Sequence, residues 1–132
     1  MDSSLKRPKI LVVDDHVMVR KGISEILRPH WDVCGEAGDG SEALDKFVEL
    51  KPDLVLLDLS MPNMDGTAAA RAIRRLSPTT KIVLLSMHED VARRVAKIAK
   101  ADEWVSKRAS AAEFLKVIDG VLRTPLRFDE PR

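Results

Sequence analysis

Three apolar runs, Ile10-Leu11-Val12-Val13, Leu54-Val55-Leu56-Leu57 and Ile82-Val83-Leu84-Leu85, restrict the fold of this chain more than anything else in it. None alternates with polar residues, so each segment, once extended, is apolar on both faces. Strands of that kind belong to the middle of a parallel sheet covered by helices on both sides. Two shorter and more mixed runs, around Val33-Cys34 and Trp104-Val105, read as edge strands of the same sheet.

Between the runs the apolar spacing becomes helical. Val19, Ile23, Ile26 and Leu27 stand at i, i+4, i+7 and i+8, and Val91, Val95, Ile98 and Ala99 repeat that spacing. Ala43, Leu44, Phe47 and Leu50 form another stripe, Ala69, Ile73 and Leu76 a shorter one, and Phe114, Leu115, Ile118, Val121 and Leu122 the last. Ser110-Ala111-Ala112-Glu113 reads as a capping box opening the final helix. Pro52 and Pro78 fall just after the second and third helices, where neither breaks one. The order is therefore β-α repeated five times. Short connections and right-handed crossovers turn it into an α/β doubly wound parallel sheet, and five strands suit the flavodoxin-like (βα)5 order 2-1-3-4-5. One domain over residues 9–122 is expected, with a lead at 1–8 and a tail at 123–132 too short for a second domain.

Composition narrows the class. At 132 residues the chain has the size of one ordinary domain, and 45% hydrophobic with 33% charged residues is the mixture of a folded domain. A net charge of +1 provides no global field for nucleic acid, so direct nucleic-acid binding is not expected. No apolar run approaches the ~20 residues of a membrane span, and Met1 to Pro8 contain no apolar signal region. Cys34 is the sole cysteine, which excludes an internal disulfide and a thiolate zinc site, and it reads as a small buried apolar residue. The expectation is a cytoplasmic domain with no membrane association.

In this architecture ligands bind beyond the carboxyl ends of the strands. The first residues after strand one are Asp14 and Asp15, and the first after strand three is Asp58; strand four ends at Ser86, and Lys107 follows strand five. Taken singly, each has a plainer reading: Asp14-Asp15 as acids at a helix start, Lys107 as a surface lysine, Ser86 as a solvated hydroxyl. Together they form one site. Carboxylates within ~5 Å of one another would repel by about 3 kcal/mol per pair at an effective dielectric near 20, so the cluster raises its own pKa values unless a cation neutralises it. Hard oxygen donors suit Mg²⁺. With Lys107 as a second positive charge and Ser86 as a donor, a carboxylate here is suited to accept a phosphoryl group. A dinucleotide site is not expected, because Asp14-Asp15-His16 stands where Gly-x-Gly-x-x-Gly would be needed.

This set of residues, with Asp58 inside Leu56-Leu57-Asp58-Leu59-Ser60-Met61-Pro62, resembles the receiver domain of bacterial two-component response regulators. Asn63-Met64-Asp65-Gly66 and Leu85-Ser86-Met87-His88-Glu89 are most similar to the NarL/FixJ-type branch, whose members usually carry a following helix-turn-helix domain. The resemblance implies a phosphoacceptor rather than an enzyme, with Asp58 receiving the phosphoryl group from a histidine kinase or phosphotransfer protein. It implies that Asp15 binds Mg²⁺ directly and Asp14 mainly through water, with Asp58 and the Ser60 carbonyl as further ligands. It implies that Ser86 turns inward to the phosphoryl oxygen and Lys107 pairs with it. Trp104 stands at the aromatic switch position, and Ser60 and His88 at the two positions that tune dephosphorylation. A partner-binding or dimerising face would change on activation, with transcription regulation as the output.

Two other readings stay open at this level. One is a receiver-fold interaction module that is never phosphorylated; the other is the receiver part of a DNA-binding regulator. The segment Ala99-Lys100-Ala101-Asp102-Glu103-Trp104 lacks the family's glycine steps and is about one residue short, so the end of helix four is where a local departure is expected. Arg108 follows Lys107 where many receivers have proline, and without proline a cis peptide costs ~3 kcal/mol, so that feature of the pattern is not carried over. The basic residues of helices three and four (Arg71, Arg74, Arg75, Arg93, Arg94, Lys97 and Lys100) read as a solvated helix face.

Overall fold

A computed structural model of the chain describes residues 7–60 and 66–124. Strands and helices alternate throughout: β1 (Lys9–Val13), α1 (Val17–Leu27), β2 (Asp32–Ala37), α2 (Gly40–Leu50), β3 (Leu54–Asp58), α3 (Gly66–Leu76), β4 (Lys81–Ser86), α4 (Glu89–Ala99), β5 (Glu103–Ser106) and α5 (Ala111–Arg123). The five strands form one parallel sheet in the order β2-β1-β3-β4-β5, as expected for the flavodoxin-like fold. β3 and β4 are buried along their whole length, whereas β2 and β5 mix buried and exposed positions.

Strand periodicity divides the apolar runs between two cores. Leu11, Val13, Val55, Leu57, Ile82 and Leu84 face α2, α3 and α4, packing with Phe47, Ile73 and Val95. Ile10, Val12, Leu54, Leu56, Val83 and Leu85 face α1 and α5, packing with Leu27, Phe114 and Ile118. α5 opens with the expected capping box: the Ser110 hydroxyl accepts from the Glu113 N–H, and the Glu113 carboxylate accepts from the Ser110 N–H.

Several local expectations need correction. The register between β1 and β2 slips between Ile10 and Leu11, leaving Cys34 opposite no partner; its thiol lies 3.5 Å from the Ile10 carbonyl and is only half-buried. Val19, Leu76 and Ile98 belong to helical stripes yet are exposed. Val19 is in the first turn of its helix, and Leu76 and Ile98 are in the last turns of theirs, positions less covered by the sheet. Arg74 is not part of a solvated face. Its side chain is 13% exposed and donates to the carbonyls of Ser77, Pro78, Thr80 and Lys100 and to the Asp102 carboxylate, 3.1 Å away. Asp102 also accepts from the Ile82 N–H at 2.8 Å. This network closes the turn between α4 and β5, where Lys100 takes the left-handed conformation (φ 55°) that glycine more often supplies. The Lys107–Arg108 peptide is trans.

Candidate functional site at the carboxyl ends of the strands

The ends of β1, β3, β4 and β5 deliver polar groups because the apolar run stops there and the chain must turn. At the end of β1 the Asp14 N–H donates to the Ala37 carbonyl, and the Asp14 Oδ1 in turn accepts from the His16 N–H at 2.9 Å. The Arg20 guanidinium donates to the Asp14 carbonyl at 2.7 Å while paired with Glu36 on β2. Asp58 is the last residue of β3, and its Oδ1 accepts from the Ser60 N–H at 3.1 Å. Gly66 lets α3 begin against this strand end: a Cβ there would stand 2.5 Å from the Asp58 carbonyl oxygen and 2.6 Å from the Leu59 Cα. Met61, Pro62, Asn63, Met64 and Asp65, which carry part of the motif, lie outside the described residues, as does the tail from residue 125 on.

Asp14 and Asp58 are almost fully buried, at 0% and 1% exposure, and Lys107 reaches both from the end of β5. Its Nζ lies 3.0 Å from Asp14 Oδ2 and 3.1 Å from Asp58 Oδ2. Asp15 and His16 complete the cluster at its outer rim. One ligand atom from each of Asp14, Asp15, His16 and Asp58 falls within 4.8 Å of the others. Asp14 Oδ2 and Asp58 Oδ2 touch only the lysine charge, and Asp15 Oδ1 only the His16 ring; none of the three receives a hydrogen bond of regular geometry. Burial pushes the Asp58 carboxyl above its ordinary range, and the Asp14 charge adds to this, against the Ser60 N–H and Lys107. Burial alone would lower the Lys107 ammonium, but its close pairing with the Asp14 and Asp58 carboxylates outweighs it and holds the group above its usual value. Three under-satisfied carboxylate oxygens around one ammonium fit a divalent cation of the Mg²⁺ class, which prefers a few carboxylates together with water.

The remaining residues singled out in the sequence take different positions. Ser86 ends β4, beside Ser106 in the register, and is buried. Its hydroxyl is engaged with the backbone of His88, donating to that carbonyl at 3.0 Å and accepting from that N–H at 2.9 Å. His88 itself is exposed at the start of α4, and its side chain caps nothing. Ser60 is exposed beside Asp58. Trp104 lies half-buried on the α4 face of β5, with the Arg93 guanidinium 5.9 Å above its ring, itself held by Glu89. The Arg20–Glu36 pair behind Asp14 was not singled out in the sequence; an arginine and a glutamate sixteen residues apart carry no local signal.

Residues 10–119 match the Response regulator receiver domain family. The chain is 43% identical over 119 residues to the response regulator protein VraR of Staphylococcus aureus, covering 88% of this chain and 56% of that protein. It thus spans about half the length of the curated relatives it matches. The signal receiver domain of the NarL regulator of Mycobacterium tuberculosis superposes with a TM-score of 0.81 at 32% identity, covering 90% of this chain and 99% of that one. A chain of the crystallised CheX-CheY-BeF3-Mg complex of Borrelia burgdorferi superposes with a TM-score of 0.85 at 25% identity, covering 92% and 93%. Among the described residues no helix is long and apolar enough to cross a membrane. With its sheet order, its acidic strand-end cluster and these relatives, the chain belongs to the response regulator receiver domain family, on the NarL/FixJ branch.

Proposed function

We propose that this domain is the phosphorylation-driven switch of a two-component phosphorelay. A histidine kinase or phosphotransfer protein presents a phosphohistidine, and a carboxylate oxygen of Asp58 attacks the phosphorus. The P–O bond to Asp58 forms as the P–N bond to the imidazole breaks, and the departing imidazole takes up a proton. Asp15 and Asp58 would hold Mg²⁺ directly, Asp14 through water, with the Ser60 carbonyl as a further ligand. When bound, the ion supplies positive charge to the oxygens of the group in transfer.

The chain's own residues supply the rest. Lys107 sits between Asp14 and Asp58, so it moves little to meet the incoming oxygens and balances their charge. Ser86 would give up its contacts with His88 and turn to the phosphoryl group, pulling the start of α4 with it. Trp104 would follow as the aromatic switch once Arg93 releases its ring. Ser60, next to Asp58, and His88, at the start of α4, would set how quickly water removes the phosphoryl group. The changed face binds a partner or a second copy, and transcription regulation is the output assigned here, as the NarL/FixJ branch implies. The receiver unit is read as residues 9–122, with 1–8 and 123–132 outside it.

The observation that carries this reading is the pair of buried carboxylates, Asp14 and Asp58, bridged by one ammonium with no further hydrogen bond to the bridged oxygens. Intact-mass spectra with Mg²⁺ and acetyl phosphate or phosphoramidate test it. A single phosphoryl adduct is expected, absent after EDTA and absent in Asp58→Asn. No adduct with either donor, in folded protein, would leave an interaction module that works by binding alone.

A further inference from the structure

The acidic cluster contains a nitrogen donor. His16 Nδ1 lies 3.1 Å from Asp15 Oδ1 and 3.5 Å from Asp14 Oδ1, and it belongs to the set of four ligand atoms within 4.8 Å. Its backbone is pinned: the residue is extended (φ −91°, ψ 108°) at the start of α1, and its N–H donates to Asp14 Oδ1. The side chain, by contrast, has no duty in the helix, since it makes no capping hydrogen bond and is 65% exposed. Its ion-pair partners among the described residues are Asp14 and Asp15.

Octahedral coordination at about 2.1 Å places adjacent donor atoms about 3 Å apart. The 3.1 Å separation of the imidazole nitrogen from Asp15 Oδ1 matches that spacing. The buried oxygens Asp14 Oδ2 and Asp58 Oδ2, and Asp15 Oδ1 beside the ring, are the ones left without regular hydrogen bonds, so the ring stands at the rim of a site rich in acceptors and short of donors. Mg²⁺ takes oxygen donors and sheds water reluctantly, whereas imidazole nitrogen favours first-row transition ions.

We infer that His16 is a specificity-determining ligand that tilts the strand-end site toward first-row divalent ions such as Mn²⁺ over Mg²⁺. This rests on the reading of the cluster as a cation site. A ring that served only as a charge partner of Asp15 would alter the affinity for every dication alike. A nitrogen ligand alters the ratio between them, and that ratio is the quantity to measure.

The experiment uses the full chain at one fixed, mildly alkaline pH. Mn²⁺ binding is read from the loss of the free-ion electron paramagnetic resonance signal, and Mg²⁺ binding from displacement of Mn²⁺. His16→Ala is expected to weaken Mn²⁺ about tenfold and to change Mg²⁺ by less than about twofold. His16→Asn, which offers oxygen in place of ring nitrogen, should follow His16→Ala for Mn²⁺. Asp15→Asn should weaken both ions. Equal changes for the two ions in His16→Ala, or none, would overturn the role of His16 and leave the cation site standing. Failure of the unaltered chain to bind either ion would overturn the cation site and this inference with it.

Discussion

At the carboxyl ends of β1 and β3, the carboxylates of Asp14, Asp15 and Asp58 cluster together, two of them on the Lys107 ammonium. At the other end of the sheet, one guanidinium, that of Arg74, meets the carbonyls of Ser77, Pro78, Thr80 and Lys100 and the carboxylate of Asp102. Both clusters are shielded from solvent, yet the first leaves Asp14 Oδ2, Asp15 Oδ1 and Asp58 Oδ2 without regular hydrogen bonds, whereas the second couples its charge to several acceptors. A buried polar group left unsatisfied costs about 1–3 kcal/mol. A fold has no structural reason to keep such groups together, so the under-satisfied end is where a ligand is to be looked for. The saturated end is where the turn is held.

The largest expected effect tests the saturated end. Removing one partner of a shielded ion pair costs about 3–5 kcal/mol, because the other charge is left behind. Arg74→Ala should therefore lower the unfolding free energy by about 3 kcal/mol in urea denaturation, while the folded fraction still takes up phosphoryl on Asp58. A loss under about 1 kcal/mol would mean that water replaces the guanidinium cheaply, and the contrast between the two ends would fail.

The acidic end should behave in the opposite way. A dication at a hundred times its dissociation constant stabilises the folded state by about 2.7 kcal/mol, so Mg²⁺ should raise the melting temperature of the unaltered chain and do much less for Asp58→Asn. Without metal, Asp58→Asn should melt slightly higher than the parent, because it removes a carboxylate whose ionisation is disfavoured by burial. The pH dependence carries the same sign. The Asp58 pKa is raised on folding, so its contribution to stability declines as pH climbs from about 4 through the raised value. Glu36 is the converse case: burial would raise it, but hydrogen bonds from Arg20 and Ser24 outweigh that and hold it below its ordinary value. Its contribution is present above the unfolded value and is lost as pH falls through the lowered one. Metal-free urea titrations should thus show Asp58→Asn flattening the decline toward neutral pH and Glu36→Gln flattening the loss on acidification. Identical slopes in both variants would sink the distinction.

The two ends were also unequally visible in the sequence. The apolar runs announce the strands, and the first polar residue after each run announces the site, because strand period and strand end are local properties of the chain. Asp14, Asp58 and Ser86 are legible in that way, with Asp15 and Lys107 each one residue further on. What was hidden depends on partners distant in sequence or on the course of a turn. Arg74 reads as one more basic residue on α3 until the fold brings Asp102 to it, and Arg20 reads likewise until Glu36 arrives on β2. Ser86 reads as a donor for the site, yet its hydroxyl is engaged with the His88 backbone two residues on. The stripe residues Val19, Leu76 and Ile98 fit the helical period but not the extent of the sheet beneath, which periodicity does not encode.

The smallest effect separates cause from consequence at the saturated end. Lys100 ends α4 in the left-handed conformation, and its carbonyl is held by Arg74. A side chain in that conformation costs roughly 1–2 kcal/mol, while glycine loses roughly 0.5–1 kcal/mol through the freedom of the unfolded chain. Lys100→Gly should therefore stabilise the domain by about 0.5–1 kcal/mol, a gain that urea denaturation resolves. If the same gain persists in Arg74→Ala, the helix end adopts its left-handed residue unaided and Arg74 only satisfies the carbonyl. If the gain vanishes there, the guanidinium is what forces the turn, and the α4–β5 connection owes its shape to a residue on α3.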